Sequence, residues 1–398
     1  MTRFFLCLML MFVWLQPSHA AALKPLPKIA SMTRAQFDAA THESEIKFPE
    51  RDKYFGLKIH IPKGWTPRPE NQLKNLQTAD RLFGELAWFD APGQGKAHPF
   101  ITVRSVSLDH DITAKAWLIQ RIFDNAYNLR SLNERSFYDV EAIYVTYDKL
   151  VTYTTWARAV IVGPRMILVE FHVPSDTWER DRDLQNWTMK TIDVSTKDTA
   201  RIEPLEAFAF LDVATFQYPK SWTLLRNIIR SPDFFRVALF NAQENETPSV
   251  QITVQAARID GNVSLDTMKQ EEQKFLDAQR VILRDKLPAP QFVPPEAKAE
   301  HIQNLVYTVS STPGLHDLDA ALKPVTKEYW LTTFDRNGTA FVISMLVPAR
   351  QGVYQDWARA TRTYQIVIET LAGQLQGSKP NGSNVQTDGN TAIPFLKD

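Results

Sequence analysis

Several long segments of the chain are dominated by the apolar residue types that favour β-strands. Residues 141–147, 153–162 and 166–173 are rich in β-branched and aromatic residues, and Gly163-Pro164-Arg165 makes a turn between the last two. Asn337-Gly338 separates another pair of such segments and favours a two-residue hairpin, because both residues tolerate a positive φ. These patterns predict long antiparallel hairpins in both halves of the chain.

In two other segments the apolar residues recur with the period of a helix. Each segment follows a residue that suits the N-cap position. The hydroxyl of Thr113 or Ser264 can accept a hydrogen bond from the first turn of a helix. Four apolar positions after Thr113 share one helix face, which we expect to be buried. These positions are Ile119, Ile122, Phe123 and Ala126. After Ser264 the apolar positions surround a polar middle.

An internal repeat is the most specific feature of the sequence. Short motifs of the first half return in the same order in the second half. The matches are Ile61-Pro62-Lys63-Gly64-Trp65 with Tyr218-Pro219-Lys220-Ser221-Trp222, residues 86–91 with 237–242, 101–103 with 252–254, 109–113 with 260–264, and Val173-Pro174 with Val347-Pro348. The middle three share one spacing of 151 residues. We interpret the chain as two tandem α+β modules, each an antiparallel sheet covered by helices, over residues 52–195 and 205–375.

Each module opens with a strand that runs into a Pro-Lys-x-Trp corner. Proline suits the end of a strand, and we expect Trp65 and Trp222 to be core residues. A strand with this corner, then strands, a helix, a long hairpin and a closing helix, resembles the Mog1/PsbP-like α/β/α sandwich family. The resemblance covers both modules and suggests two tandem copies. It implies an accessory or binding function, since proteins of that fold are mostly non-enzymatic.

The N-terminus has the order of a secretory signal peptide. Arg3 is the only charged residue among the first 20, an apolar run extends from Phe4 to Leu15, and Ser18-His19-Ala20 offers small residues for cleavage. The run is too short to cross a bilayer as a helix, which takes about 20 residues. We predict a signal peptide at residues 1–20, then an extended leader at 21–51, and a disordered tail at 376–398.

Composition restricts the compartment and the partners. The only cysteine, Cys7, lies inside the predicted signal peptide, so the mature chain would have no disulfide and no thiolate site. A short signal without disulfides indicates an exported protein of the bacterial periplasm. The 45 basic and 45 acidic residues form no basic stripe, which argues against nucleic acid as a partner. No later segment is apolar for long enough to predict a transmembrane helix.

No residue pattern amounts to a catalytic, cofactor-binding or metal-binding site, so none is assigned. Asp109-His110-Asp111 fits an exposed turn before a helix better than a metal site. Glu170 and His172 share one side of a strand and are either an acid/base pair or a solvated face, which we favour. Gly93-Gln94-Gly95 lies between Pro92 and Pro99 and is not interpreted as a phosphate-binding loop.

Two other groups are interpreted as surface. Carboxylates at Glu271-Glu272 and at Asp181 and Asp183 lie on predicted helices among basic residues, which is typical of a solvated helix face. Trp178 is the tryptophan that we expect to be most exposed, beside Asp176 and Glu179.

Three functions remain open from the sequence. The first is a non-enzymatic binding or assembly factor that acts on a protein partner in the periplasm, without a cofactor. The second is a carrier of a small ligand or lipid in a groove between sheet and helix, which a large apolar pocket would favour. The third is an enzyme with an unfamiliar site, which a buried cluster of ionisable side chains would favour.

Overall fold

The protein was analysed as a computed structural model. The described residues are 23–47, 56–73, 75–78, 81–93, 97–148, 150–194, 201–210, 213–226, 234–241, 248–259, 263–279, 281–290, 293, 297, 299–311, 326–351 and 353–373. The predicted signal peptide, its cleavage position and the predicted tail lie outside these residues. They therefore stay predictions.

The chain divides into two compact units. The first comprises residues 1–106, 121–162 and 166–198, and the second comprises 107–120, 163–165 and 199–398. Residues 107–120 group with the second unit through Asp111, which is buried there. Its backbone N–H donates to Glu203 Oε1 at 3.0 Å, and its Oδ1 accepts from Arg362 Nε at 3.1 Å. Asp111 is thus a buried ion-pair partner, and the exposed turn predicted for it is wrong.

The elements up to residue 194 include many strands and three α-helices among the described residues. They are α1 (Arg34–Ala40), β1 (Thr41–Lys47), β2 (Gly56–Pro62), β3 (Thr66–Pro67), a 3-10 helix (Glu70–Gln72), β4 (Asn75–Thr78), β5 (Arg81–Asp90), β6 (Phe100–Ser107), α2 (Ala114–Asp124), β7 (Asn128–Ser136), β8 (Asp139–Asp148), β9 (Val151–Val162), β10 (Arg165–Pro174), α3 (Trp178–Thr191) and β11 (Asp193–Val194).

The elements from residue 205 onward follow a similar series. They are β12 (Leu205–Phe210), β13 (Ala214–Pro219), β14 (Thr223–Arg226), β15 (Phe234–Phe240), β16 (Gln251–Arg258), α4 (Leu265–Ala278), β17 (Val281–Leu287), β18 (Glu300–Ser311), β19 (Lys327–Arg336), β20 (Thr339–Pro348) and α5 (Tyr354–Leu371).

The two main sheets have the same strand order. The first runs β3-β5-β6-β10-β9-β8-β7, with β4 also paired to β5, and the second runs β14-β15-β16-β20-β19-β18-β17. Smaller sheets are formed by β1-β2-β11 and by β12-β13. The α+β class, with one antiparallel sheet and covering helices in each half of the chain, is therefore confirmed.

The apolar core of each unit lies on one face of its main sheet. In the first sheet, Ile101 and Val103 of β6 and Val169 and Phe171 of β10 are buried with residues of α3 and β2. In the second, the corresponding core includes residues of α5. Because side chains alternate along a strand, Thr102, Arg104, Glu170 and His172 belong to the opposite face. That opposite face carries the polar groups described below.

The Pro-Lys-x-Trp corners have the same local geometry. The N–H of Trp65 donates to Pro62 O at 3.3 Å, and the N–H of Trp222 donates to Pro219 O at 3.0 Å. Trp222 is 4% exposed and belongs to the core of the second unit. Trp65 is half-buried against the first core and meets the ring of Phe171 edge-on at 5.3 Å. Trp222 is a core residue as predicted, whereas Trp65 packs against the core but is only partly buried.

The turn and cap chemistry also follows the sequence. Asn337 and Gly338 have φ of 52° and 72°, as a two-residue hairpin of this kind requires. The hydroxyl of Thr113 accepts a bond from the N–H of Ala116 at 2.9 Å. Ser264 caps α4 through a reciprocal capping box with Thr267. These interactions are local, so the residue types alone predict them.

The region expected to be an extended leader is structured over residues 34–47. Thr33 and Gln36 form a capping box at the start of α1, Phe37 is fully buried, and β1 pairs with β2. Upstream, the Asp183 carboxylate accepts backbone bonds from residues 30–32 at 2.7 to 3.1 Å. The extended leader is therefore wrong for these residues, and so is a solvated position for Asp183.

The predicted buried face of α2 is wrong in part. Ile122 is buried as predicted, but Phe123 is 57% exposed and Ala126 lies beyond the helix, whereas Ala114 and Leu118 are buried. The helix is rotated so that Arg121 faces the polar side of the sheet. Within the described ranges, no helix combines the length and the apolar character needed to cross a membrane.

Candidate functional site

A buried ionic cluster covers the polar face of the first main sheet. It consists of Glu85, Arg104, Arg121, Tyr144 and Glu170, contributed by β5, β6, α2, β8 and β10. Glu170 is 1% exposed and lies at the centre. The solvated strand face predicted for Glu170 and His172 is wrong, since His172 is only 6% exposed.

Four side chains satisfy the carboxylate of Glu170. Arg104 donates to Oε2 in a short contact, and Arg121 Nη2 lies 3.3 Å from Oε1. The Tyr144 hydroxyl donates to Oε1 at 2.5 Å, and the Thr102 hydroxyl lies 3.4 Å from Oε2. Glu85 adds a second carboxylate 3.5 Å from Arg104, so two carboxylates face two guanidinium groups. The cluster is neutral as a whole.

The pKa values of Glu170, Tyr144 and the adjacent His172 all move away from neutrality. Burial raises the pKa of Glu170, but Arg121 and Arg104 lower it by more, and the net pKa lies well below its ordinary value. Burial lowers the pKa of His172 to about 3, although Glu170 opposes this. Burial and Glu170 together raise the pKa of Tyr144 well above its ordinary value. A general acid or base works best with a pKa near the working pH, so this arrangement is suited to holding structure.

The second unit has a buried ionic cluster on the same face of its sheet. Glu272 of α4 is 2% exposed and accepts bonds from Gln255 Nε2 at 2.5 Å and from the Tyr329 hydroxyl at 2.9 Å. Arg236 Nη2 lies 3.4 Å from its Oε2. Glu272 occupies the polar middle of the helix, one turn from the buried Met268. The solvated helix face predicted for Glu272 is therefore wrong.

The two clusters use equivalent positions with opposite charge. Arg121 and Glu272 are 151 residues apart, and so are Glu85 and Arg236, which is the spacing of the sequence repeat. In the first unit the helix carries the cation, whereas in the second it carries the anion. Sequence reasoning missed both clusters because each charged residue was assigned separately to the surface. The available signal was that two charged positions of the first half have the opposite charge 151 residues later in the second half.

Aromatic rings cover the first sheet beside its ionic cluster. Phe100 stacks on His172 at 4.2 Å and on Trp88 at 4.8 Å, and Tyr153 meets Phe100 edge-on at 5.3 Å. Asp90 joins the edge of this stack, since it accepts bonds from Arg68 at 2.6 Å and from Trp88 Nε1 at 2.8 Å. The stack fills the space above these strands.

A cavity of about 140 Å³ lies above the second sheet, next to its ionic cluster. Phe275 and Leu276 of α4 form one wall, and Thr253, Tyr329 and Ser344 lie on the sheet side. All three of these sheet residues are buried. The cavity is well below the roughly 300 Å³ at which ligand pockets usually begin, so it does not suit a lipid.

The remaining sequence candidates are dispersed. Asp109 is exposed and lies 3.5 Å from His110, with no metal cluster around them in the described part of the chain. Trp178 is half-buried against the first core, with its indole N–H donating to Gln185 at 2.9 Å, so the exposure predicted for it is wrong. Of the glycine-containing segment after β5, Gly93 is described, whereas Gln94 and Gly95 lie outside the described ranges.

One group of possible metal ligands was not seen in the sequence. Donor atoms of Glu300, His301 and Asp335 lie within 4.8 Å of one another, across the β18–β19 pair. His301 Nδ1 is 2.8 Å from Asp335 Oδ1. Two of the three residues are exposed, and exposed acidic groups are common without a metal, so the group by itself assigns no site.

Three exposed apolar side chains belong to elements that meet at one end of the first sheet. Leu150 is fully exposed, Tyr147 is 63% exposed and Phe123 is 57% exposed. Strand β7 begins at Asn128 opposite Val145, so the end of α2 and the β8–β9 turn lie at the same end of the sheet. We call these three residues the apolar end.

Comparison with known proteins gives structural likenesses of low similarity. No protein-family model matches the chain, and no curated protein does. The chain is similar to cyanobacterial PsbP from Synechocystis, with TM-score 0.28 and 12% identity over 39% of this chain and 93% of that one. It is similar to LpqN, which is involved in cell envelope biogenesis of Mycobacterium tuberculosis. The TM-score is 0.27 and the identity 10%, over 41% of this chain and 97% of that one. The chain is also similar to a chain of the Tle4-Tli4 complex, with TM-score 0.18 and 10% identity over 78% of this chain and 95% of that one.

Proposed function

We propose that the protein is an exported, non-enzymatic binding or assembly factor that acts on a protein partner in the periplasm. The apolar end of the first unit carries this proposal. A single exposed apolar residue is ordinary, but three at one end of a sheet suit a surface that a partner covers. Tyr147 also combines a large contact area with a hydroxyl, a combination enriched in protein interfaces.

The ionic clusters support a binding function over an enzymatic one. A buried ionisable cluster would favour an enzyme if it contained a group that changes protonation near neutral pH. In the first cluster Glu170 is held as a carboxylate, while burial keeps His172 neutral with a pKa of about 3. Neither group changes its protonation near neutral pH, which leaves them no role in proton transfer there.

The proposal includes a duplicated architecture, with two tandem copies of a Mog1/PsbP-like module over residues 52–195 and 205–375. Equal strand order in the two sheets supports this, as do the matching corners at Trp65 and Trp222. The common spacing of 151 residues between the helix charges adds a third, independent match. Experimental structures of the two modules should superpose with both tryptophans in the same element.

Site-specific photo-crosslinking in the exported fraction tests the partner. A photo-reactive residue placed separately at position 147 and at position 150 should capture the same protein. The same residue at position 282, where Ile282 is exposed in the second unit, should not capture it. Different proteins at the two positions, or equal capture at position 282, would contradict the proposal.

Two matched triple variants give the control. Serine at all three positions of the apolar end should abolish capture from a probe at position 124, next to Phe123 in the chain. Serine at three exposed isoleucines of the second unit should leave capture unchanged. The control residues are Ile259, Ile282 and Ile302. Equal loss in both variants would show that exposed apolar area in general, and not the apolar end, is responsible.

A small-ligand carrier is the second candidate function. The cavity of the second unit favours it, because this cavity lies between a sheet and a helix, where a carrier of this kind is expected to hold its ligand.

A further inference from the structure

The first main sheet fills one part of its polar face with rings that the second sheet does not have at the same positions. Phe100 of β6 stacks on His172 of β10 at 4.2 Å and meets Tyr153 of β9 edge-on at 5.3 Å. The spacing of 151 residues, which relates β6 to β16, places Gln251 at the position of Phe100. A polar side chain therefore replaces the central ring in the second unit.

The other two rings are replaced as well. The closing hairpins match at a spacing of 174 residues, which relates the Val-Pro pairs that end β10 and β20. At this spacing Leu346 occupies the position of His172, and Lys327 that of Tyr153. Strand pairing agrees with these matches, because Leu346 pairs with Gln251 in the second sheet. All three replacing residues line the cavity of about 140 Å³, so the cavity lies where the first unit has its rings.

Apolar side chains form much of the wall of this cavity. Phe275 and Leu276 of α4 lie on the helix side. Val250, Val281 and Leu346 contribute from the ends of the neighbouring strands. These groups can make close contacts with an apolar occupant from both sides.

The polar side chains of the lining already interact with other groups of the protein. The Tyr329 hydroxyl donates to Glu272 Oε1 at 2.9 Å, and Gln251 Nε2 donates to Thr253 Oγ1 at 3.1 Å. Lys327 likewise has an interaction partner. A charged or strongly polar ligand would have to break such interactions, whereas an uncharged apolar ligand leaves them intact. The lining therefore favours an uncharged occupant.

The size of the cavity limits the occupant to about one ring. An apolar cavity of about 150 Å³ inside a protein can bind benzene, so about 140 Å³ is enough for one six-membered ring. Displacement of poorly ordered water by an apolar group gains affinity. Such a ring would restore in the second unit the filling that the first unit has from its own side chains.

We propose that the second unit binds a small uncharged molecule with one aromatic ring, held between the end of α4 and strands β16 and β20. This inference deepens the second candidate function and rests on it. It is independent of the protein partner, since crosslinking at the apolar end can fail while ligand binding succeeds, and the reverse also holds.

Titration of the full chain with toluene tests the site. We expect toluene to shift the amide NMR resonances of Thr253, Leu276 and Ser344, with saturation. Thr102 and Glu170 have the equivalent positions in the first sheet, and their resonances should stay unchanged. The absence of a saturable shift would overturn the proposal, and so would equal shifts at the two control positions.

Benzoate tests whether the occupant is uncharged. It has the same ring with a carboxylate, which would lose its hydration without gaining a partner in the cavity. We expect it to bind at least tenfold more weakly than toluene. Benzoate binding as tight as that of toluene would contradict an uncharged ligand class.

Two variants fill the cavity in the way the first unit does. Gln251→Phe and Leu346→Phe each introduce a ring at a position where the first unit has one, and each should weaken toluene binding at least tenfold. Gln303→Phe makes the matched change at an exposed residue of β18 and should preserve binding. Unchanged toluene affinity in either filling variant, with the amide resonances of the second core retained, would overturn the assignment.

Organic extraction of the protein purified from the exported fraction distinguishes this inference from the carrier function as such. A bound one-ring aromatic molecule that is missing from Gln251→Phe protein would support both. A bound molecule of another class that is missing from the same variant would support a carrier and overturn the proposed ligand class.

Discussion

Replacement of Glu170 by glutamine should destabilise the first unit strongly. The change keeps the volume of the side chain and removes its charge, so Arg104 and Arg121 lose the carboxylate that both of them contact in a buried environment. Breaking a buried ion pair by removing one partner typically costs about 3 to 5 kcal/mol, because the remaining charge is uncompensated. Glu170 has two such partners, at Arg104 and Arg121, and is 1% exposed, so the upper part of this range applies.

A loss of this size is readily measured. A domain has only about 5 to 15 kcal/mol of stability, so the first unit would lose a large part of it. For a unit of about 150 to 250 residues, each kcal/mol lowers Tm by roughly 2 to 4 °C. Denaturant unfolding should show the loss, and hydrogen exchange should localise it to β6, β8 and β10.

The control removes the cations as well. A quadruple variant with Glu85→Gln, Glu170→Leu, Arg104→Met and Arg121→Met replaces all four ions by neutral groups, and it should be much more stable than Glu170→Gln, because no uncompensated charge of this cluster remains. If Glu170→Gln changes the free energy of unfolding by less than about 1 kcal/mol, the buried-charge argument is refuted. The same holds if the quadruple variant is the less stable of the two.

Two further changes should give graded effects. Trp222→Ala should cost about 3 to 5 kcal/mol in the second unit, and Trp65→Ala should cost less in the first, because Trp65 is only half-buried; paired denaturant curves decide the order. Asp183→Asn should speed hydrogen exchange at residues 30–32. Burial raises the pKa of Asp183, but the backbone donors lower it by more, to about 2, below its ordinary value of 3.8. The stability of the wild-type protein should therefore fall as the pH drops from about 4 to about 2. Unfolding curves of Asp183→Asn should lack that fall.

The element order could be predicted because it depends on local signals. The runs of β-branched and aromatic residues, the Asn337-Gly338 turn and the caps at Thr113 and Ser264 each involve neighbouring residues. The buried charges could not be predicted in this way, because Glu170 is 66 residues from Arg104 and 49 from Arg121. A hydropathy pattern assigns such residues to solvent unless their partners are known.

The region before the first module shows the same limit. The Thr33 to Gln36 capping box was present in the sequence, but the residues before it are held by Asp183, roughly 150 residues later. A short polar segment with several prolines does not reveal a partner that distant. The exposed end of the first sheet was missed for the opposite reason, since Phe123 fits a buried helix face by period alone.

The reversed charges of the two clusters have a consequence for how the chain assembles. Two units whose main sheets have the same strand order risk exchanging elements while they fold, and a helix could pack on the wrong sheet. If α4 lay on the first sheet, Glu272 would meet the carboxylates of Glu85 and Glu170. If α2 lay on the second, Arg121 would meet Arg236. Like charges in a dry interior repel strongly, so the charge of each helix disfavours packing on the other sheet. The alternative pairing is destabilised without any additional contact in the native one.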